Sequence, residues 1–130
     1  MNAGIGLSTE EIFDQGFNTN VKGAYFTIQK LLPVLKDGSS VVINGSIAAH
    51  SGSPASSVYS ASKAAVNSFA KTLSRDLLPR KIRVNVVNPG PIYTPIFTKT
   101  GLPAEAIDGM TKQLLADIPV GRIGNVAEIT

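Results

Sequence analysis

The chain has 130 residues, of which 43% are hydrophobic and 16% charged, a composition typical of a folded globular domain. It contains no cysteine and a single histidine, His50, which excludes disulfides, thiol nucleophiles and metal sites built from thiolates or several histidines. No apolar run is long enough to span a membrane, and no signal peptide pattern is present, so we expect a cytoplasmic protein without a membrane partner.

The net charge of +3 could indicate nucleic-acid binding. The positions of the basic residues along the chain test this better than the net charge does. Their only cluster is Arg75, Arg80, Lys81 and Arg83. It falls at the end of a predicted helix and the entry to a predicted strand, where cations also complement the helix C-terminus. No aromatic residue interleaves with the cluster to stack on bases, so we predict no nucleic-acid partner.

The first third of the chain predicts a glycine-rich turn and two helices. Two glycines within residues 2–6 indicate a tight turn or a backbone that a ligand approaches closely. The sequence Ser-x-x-Glu at residues 8–11 matches a capping box and predicts a short helix over residues 9–17. Apolar residues at intervals of three and four predict a second helix over residues 21–35.

The centre of the chain predicts a βαβ unit. Residues 40–44 form a β-branched run without polar alternation, which predicts a strand buried on both faces, as in parallel sheets. A long alanine-rich helix follows over residues 57–78, and residues 82–87 predict a second strand. Strand, helix and strand in this order predict a right-handed unit whose site lies beyond the carboxyl ends of the strands.

The C-terminal region, residues 92–122, is interrupted by Pro and Gly and carries one predicted helix. The apolar positions of that helix are Ile107, Met110, Leu114 and Leu115. We interpret the region as a lid or substrate loop, or simply as a cover for the core. Asn125, with Glu128 three residues later, predicts the start of another helix.

Tyr59 and Lys63 are the first candidate site residues. They stand four residues apart at the start of the long helix, which places both side chains on one face. A phenol is a poor proton donor or acceptor near neutral pH unless a neighbouring cation stabilises its phenolate. Lys63 can be that cation, which would allow Tyr59 to act as a general acid or base. The alternative, which this motif in isolation favours, is a surface Tyr and Lys without chemistry.

A series of short motifs accompanies this pair. They are Asn-Ala-Gly at 2–4, Asn-Val-Lys-Gly at 20–23, Gly-Ser at 45–46, Arg-Val-Asn at 83–85 and Pro-Gly-Pro-Ile-x-Thr-Pro at 89–95. In this order and spacing, the set closely resembles the short-chain dehydrogenase/reductase family over nearly the whole chain. The resemblance implies an α/β fold with a Rossmann-like, doubly wound parallel sheet. It also implies an NAD(P)-dependent oxidoreductase that acts on a carbonyl compound or an alcohol.

The resemblance also implies roles for individual residues. Tyr59 resembles the catalytic acid/base, and Lys63 resembles the residue that stabilises its phenolate and holds the nicotinamide ribose. Ser46 would polarise the substrate oxygen as an oxyanion-hole donor does, and Asn20, at the start of the second helix, would hold a water that links Lys63 to solvent. The cofactor, NAD or NADP, would also contact Asn2, Ala3 and Gly4 at its adenosine end, and Pro89, Gly90, Ile92 and Thr94 at its nicotinamide end.

Parts of the family pattern are absent. The glycine motif that holds the cofactor pyrophosphate and the residue that selects NAD or NADP lie upstream of Asn2 in that pattern, and the last strand lies beyond Thr130. We therefore expect residues 1–130 to be a single incomplete dinucleotide-binding-type domain, a partial Rossmann-like sheet truncated at both ends. Its exposed edges would favour association or aggregation, and we expect the 130 residues alone not to be a competent dehydrogenase.

Two hypotheses follow from this pattern. In the first, the chain is the central and C-terminal part of an active NAD(P)-dependent enzyme for a small or apolar carbonyl or alcohol. In the second, it is a non-catalytic fragment that only associates with itself or an intact relative. The helices over residues 21–35 and 57–78 resemble those of the family's dimer interface, so both hypotheses predict a homo-oligomer, a dimer or a tetramer.

Overall fold

The computed structural model describes residues 4–95 and 104–129, except for the side chains at positions 104, 106 and 110. Contacts along the backbone divide the chain into two compact units, Met1–Asn88 and Pro89–Thr130. That residues 1–130 constitute a single domain stays a prediction.

The first unit begins with a nearly continuous helical segment. Helices α1 (Glu10–Phe17) and α2 (Ala24–Leu31) are joined by a π-helical stretch, Asn18–Gly23. Thr9 caps α1, because its side-chain oxygen accepts a hydrogen bond from the backbone N–H of Ile12 at 3.3 Å. The capping box predicted at residues 8–11 is therefore wrong by one residue. Helix α2 also ends earlier than predicted, in a turn over residues 32–34 that contains a proline.

The predicted βαβ unit is confirmed. Strand β1 (Ser40–Asn44) is followed by helix α3 (Ser57–Asp76) and strand β2 (Arg83–Val87). The strands pair in parallel, from Ser40 opposite Arg83 to Asn44 opposite Val87. Because both strands run in the same direction, the residues that follow Asn44 and Val87 emerge at one edge of the sheet.

The core lies between α2, α3 and one face of the sheet. Its buried apolar residues are Ile28, Ile43, Val66, Ala70, Leu73, Leu77, Ile82 and Val84. The prediction that β1 is buried on both faces is wrong for the part of the chain that the structure describes, since Val42 is 64% exposed. Alternate residues of a strand point to opposite faces, and the described residues cover only the face of Val41 and Ile43.

Arg80, a member of the basic cluster, has a structural role. The Arg80 guanidinium donates to Asp37 Oδ1 and to the backbone carbonyl of Leu32, both at 2.9 Å, and also to the carbonyl of Leu35. It thereby satisfies carbonyls in the turn after α2, whereas the sequence pattern assigned the cluster to the end of α3.

Within residues 4–95 and 104–129, no helix has the length and apolar character needed to cross a bilayer.

The second unit contains helix α4 (Ala104–Asp117), which confirms the helix predicted around residue 110. Ile92 and Gly124 form a parallel bridge, in which the Tyr93 N–H donates to the Gly124 carbonyl at 2.8 Å. At the helix start predicted from Asn125, the described residues form only a short 3-10 turn, Val126–Glu128, which Asn125 and Glu128 open with a capping box.

Candidate active site

Helix α3 places Tyr59 and Lys63 side by side. Both side chains are half-buried. Lys63 Nζ lies 5.8 Å from the ring centroid of Tyr59, near the outer limit of a cation–π contact. This proximity confirms that the four-residue spacing puts both groups on one face of the helix.

Lys63 also reaches the sheet. Its Nζ donates a hydrogen bond to the backbone carbonyl of Asn44, the last residue of β1, at 2.9 Å. An ammonium group has three N–H donors, so this bond leaves two for other acceptors. The cation therefore lies at the carboxyl edge of the sheet, where the site of an open parallel α/β fold is expected.

Ser46 follows β1 at the same edge. Its backbone N–H donates to Asn88 Oδ1 at 2.9 Å, and its Oγ accepts from the N–H of Ala48 at 3.2 Å. The second bond makes Ser46 the N-cap of a 3-10 turn, Ile47–Ala49. Both bonds hold the residue in place, and the hydroxyl keeps its proton for donation to another acceptor.

Asn20 is linked to Tyr59 through a buried serine. Asn20 Nδ2 donates to Ser62 Oγ at 3.0 Å, and Ser62 Oγ donates to the carbonyl of Tyr59 at 2.7 Å. Ser62 is 0% exposed. The prediction that Asn20 begins a helix is wrong, because it lies inside the π-helical stretch Asn18–Gly23 that joins α1 to α2. Such π-helical insertions occur frequently at functional sites.

A crevice brings Asn20 and Tyr59 to one surface. Its volume is about 340 Å³, which lies at the lower end of the range for small-molecule sites. The other lining residues are Ile12, Gln15, Gly16, Thr19 and Val58. The crevice is bounded by α1, the π-helical stretch and the first turn of α3.

The predicted cofactor contacts are distributed over both units. Asn2 and Ala3 lie outside the described residues. Gly4 precedes a 3-10 turn, Ile5–Leu7, and its carbonyl accepts from the Leu7 N–H at 2.8 Å, which confirms the predicted tight turn. The turn predicted to contact the nicotinamide, with Pro89, Gly90, Ile92 and Thr94, belongs to the second unit.

Sequence reasoning missed three polar residues of this region, Ser62, Asn67 and Asn88. Asn67 stands four residues after Lys63 in an alanine-rich helix, a position that faces the same side as Lys63. Asn88 directly follows the last residue of β2. These two signals were legible in the sequence, whereas the buried position of Ser62 was not. Within the described part of the chain, no group of three or more His, Asp or Glu could hold a metal ion.

A parallel βαβ unit with Ser, Tyr and Lys at the carboxyl edge of its sheet defines an α/β protein of the Rossmann type. The chain belongs to the short-chain dehydrogenase/reductase family: residues 2–130 match the family model described as enoyl-(acyl carrier protein) reductase. The resemblance seen in the motifs, and the partial Rossmann-like fold that it implied, are thereby confirmed.

Individual relatives agree with this assignment. The chain is 36% identical over 124 residues to an uncharacterized oxidoreductase of Bacillus subtilis, covering 95% of this chain and 41% of that protein. It is 37% identical over 126 residues to a hydroxynaphthalene reductase-like protein of Metarhizium brunneum, covering 88% and 46%. The chain thus spans less than half the length of these two relatives.

Solved structures show the same likeness. A small-chain dehydrogenase in complex with NADPH matches with a TM-score of 0.87 and 25% identity, over 98% of this chain and 57% of that one. A dehydrogenase/reductase from Sinorhizobium meliloti matches with a TM-score of 0.85 and 31% identity, over 98% and 48%.

Proposed function

We propose that this chain is the catalytic part of an NAD(P)-dependent oxidoreductase that interconverts a small or apolar carbonyl compound and its alcohol. One observation carries the proposal: Lys63 Nζ lies beside the Tyr59 ring and is bonded to Asn44 at the sheet edge where Ser46 follows. Relatives named as oxidoreductases and reductases support the reaction class. A similar structure in complex with NADPH supports the cofactor class, NAD or NADP.

The chain's own residues would handle the proton and the substrate oxygen. In reduction, Tyr59 gives its hydroxyl proton to the substrate oxygen, and in oxidation it takes that proton back. Ser46 donates a hydrogen bond to the same oxygen, which polarises the carbonyl and stabilises the charge that develops there. Lys63 stabilises the phenolate that Tyr59 leaves behind.

The donor set fits the nicotinamide end of a dinucleotide. Lys63 has two N–H donors beyond its bond to Asn44, enough to hold ribose hydroxyls while it faces Tyr59. When bound, the reduced nicotinamide supplies the hydride and its oxidised form accepts one. As the family resemblance implies, Gly4 would contact the adenosine end, and the turn at residues 89–94 would contact the nicotinamide.

Asn20 would act in the proton relay. Its Nδ2 is used in the bond to Ser62, so its side-chain oxygen is the atom that can accept from an ordered water. That water would connect Lys63 to solvent and return protons to Tyr59. The bond to Ser62 would orient Asn20 for this task.

Tyr59→Phe in the native protein tests the acid/base assignment. We expect kcat for a panel of small ketones and aldehydes to fall about 100-fold or more, the scale of general acid–base catalysis. Binding of NADH or NADPH, measured by nicotinamide fluorescence, should persist. Tyr25→Phe, on α2, is the matched control and should retain activity. Full activity in Tyr59→Phe would refute the assignment.

A second candidate function is association without catalysis. An apolar groove of about 700 Å³ lies between the π-helical stretch, α2 and α3, and Tyr25, Phe26 and Phe69 line it. Phe26 is 42% exposed there, a surface that a second copy of the chain could cover as a dimer or tetramer. We expect Phe26→Asp to shift the mass seen by light scattering towards monomer, and Val120→Asp, at an exposed position outside the groove and outside both helices, to leave it unchanged. A monomeric wild-type protein would count against this candidate, and tight NADPH binding would favour the first.

A further inference from the structure

A pair of asparagine amides links helix α3 to the end of the sheet. Asn67 Nδ2 donates to Asn88 Oδ1 at 3.1 Å, and Asn88 Nδ2 donates back to Asn67 Oδ1 at 2.9 Å. Each amide makes one further bond. Asn88 Oδ1 accepts from the N–H of Ser46 at 2.9 Å, and Asn67 Nδ2 donates to the carbonyl of Lys63 at 3.0 Å. The pair therefore joins two residues that the proposed reaction uses.

The two outer bonds determine how each amide is oriented. The Ser46 N–H requires an acceptor, which must be the side-chain oxygen of Asn88. The Lys63 carbonyl requires a donor, which must be the side-chain nitrogen of Asn67. With these orientations, the other oxygen and nitrogen of the pair face complementary atoms. An ionised aspartate at either position would lose a donor, so the arrangement requires two amides.

The backbone at Gly45 is shaped to admit this pair. A Cβ at Gly45 would lie 2.1 Å from Asn88 Oδ1 and 2.6 Å from Val86 Cγ1, so no side chain fits there. The Gly45 N–H donates to the carbonyl of Val87 at 2.8 Å, which continues the ladder one residue beyond β1. The Asn88 side chain then takes over from the backbone by accepting from Ser46.

We propose that Asn67 and Asn88 are positioning residues whose paired amides set the distance between Ser46 and the helix that carries Tyr59 and Lys63. This inference rests on the proposed function, in which Ser46 and Tyr59 address the same substrate oxygen from different elements. A displacement of about 1 Å between such groups costs on the order of 100-fold in rate. Neither amide needs to touch the substrate for this effect.

Asn88→Asp in the native protein is the first test. The ionised carboxylate accepts from Ser46 but cannot donate to Asn67, whereas the protonated carboxyl can do both. We expect kcat at neutral pH to fall about 10- to 100-fold, with the KM for NADH or NADPH unchanged. The deficit relative to wild type should shrink as the pH falls and the carboxyl takes up its proton. A kcat deficit that does not change with pH would overturn the proposal, because it would indicate a general loss of structure instead of the loss of one hydrogen-bond donor.

The variants Asn67→Ala, Asn88→Ala and their combination give a second test. If the amides act as one unit, the double variant should be no slower than the slower single variant. Gln29→Ala, an exposed amide on α2, should keep wild-type kcat. Wild-type kcat in Asn88→Ala, or single losses that multiply in the double variant, would overturn the proposal.

Hydrogen exchange at the Ser46 amide separates this inference from the proposed function. If neither the 130-residue chain nor a longer protein that contains it shows NADH- or NADPH-dependent turnover on the carbonyl panel, the proposed function fails. In that case, faster exchange of the Ser46 N–H in Asn88→Ala than in Gln29→Ala still supports the proposal that the paired amides hold Ser46 in position. Equal exchange in the two variants overturns it.

Discussion

The two units of the molecule are stabilised in different ways. Every buried residue among those that the structure describes belongs to the first unit, including the polar Ser56 and Ser62. The described residues of the second unit are all exposed or half-buried. A bidentate ion pair on its surface joins Arg122 to Glu128 at 2.7 and 2.8 Å, and a capping box lies beside it.

This difference explains why the candidate catalytic residues lie in the first unit. Catalysis needs side chains held within a fraction of an ångström, and only a packed core with satisfied polar bonds provides such precision. Tyr59, Lys63 and Ser46 are bonded to, or stand on, elements that share the core. The second unit, in contrast, relies on contacts that solvent weakens.

Substitution of glycine by alanine should have the largest effect on stability, and opposite signs in the two units. Gly45→Ala in the first unit forces a Cβ against Asn88 and Val86 and should lower the free energy of unfolding by about 3 kcal/mol. Gly109→Ala in α4 meets nothing within 4 Å and should raise helix stability by about 0.5–1 kcal/mol. Thermal unfolding of both variants checks the signs. A neutral Gly45→Ala would mean that the sheet edge is not tightly packed.

A smaller effect should come from the buried serine. Ser62→Ala removes the acceptor of Asn20 and the donor to the Tyr59 carbonyl, and should cost about 2 kcal/mol. Ser68→Ala, on the exposed face of the same helix, should stay within about 0.5 kcal/mol of wild type. Denaturant unfolding measures both variants. Equal stabilities would show that the buried hydrogen bonds contribute nothing beyond those of the surface.

The smallest effect concerns the second unit and its pH dependence. Hydrogen bonds from Arg122 and from the Asn125 amide lower the pKa of Glu128 to about 2 from its usual 4.5. Because the folded pKa is depressed, the contribution of this pair to stability is complete above pH 4.5 and is lost as the pH falls towards 2. In NMR spectra, the chemical shift of the Asn125 backbone amide should titrate with a midpoint near pH 2, the folded pKa of Glu128. Glu128→Gln should abolish the transition, and a midpoint near 4.5 in wild type would contradict the ion pair.

Local patterns predicted most of the elements of the fold. The sequence predicted strand β1 from the β-branched run at 40–44, the long helix from Ser57, and a helical start at Asn125. Each of these depends on residues only a few positions apart. The predictions failed where the structure depends on contacts between elements. The π-helical stretch at Asn20 depends on how the helical segments pack, and the exposure of one face of β1 depends on which elements cover the sheet.

The amino-acid sequence is sufficient to predict that Tyr59 and Lys63 are neighbours on helix α3, because the helical repeat brings them together wherever that helix forms. It is also sufficient to predict the family, because the order of the motifs carries that information. Which polar side chains hold these groups in place depends on the packing of the elements against one another. Asn20 meets Ser62 across 42 residues, and Asn67 meets Asn88 across 21. Such bonds exist only after α3 has packed against its neighbours, because no local rule relates residues so far apart along the chain.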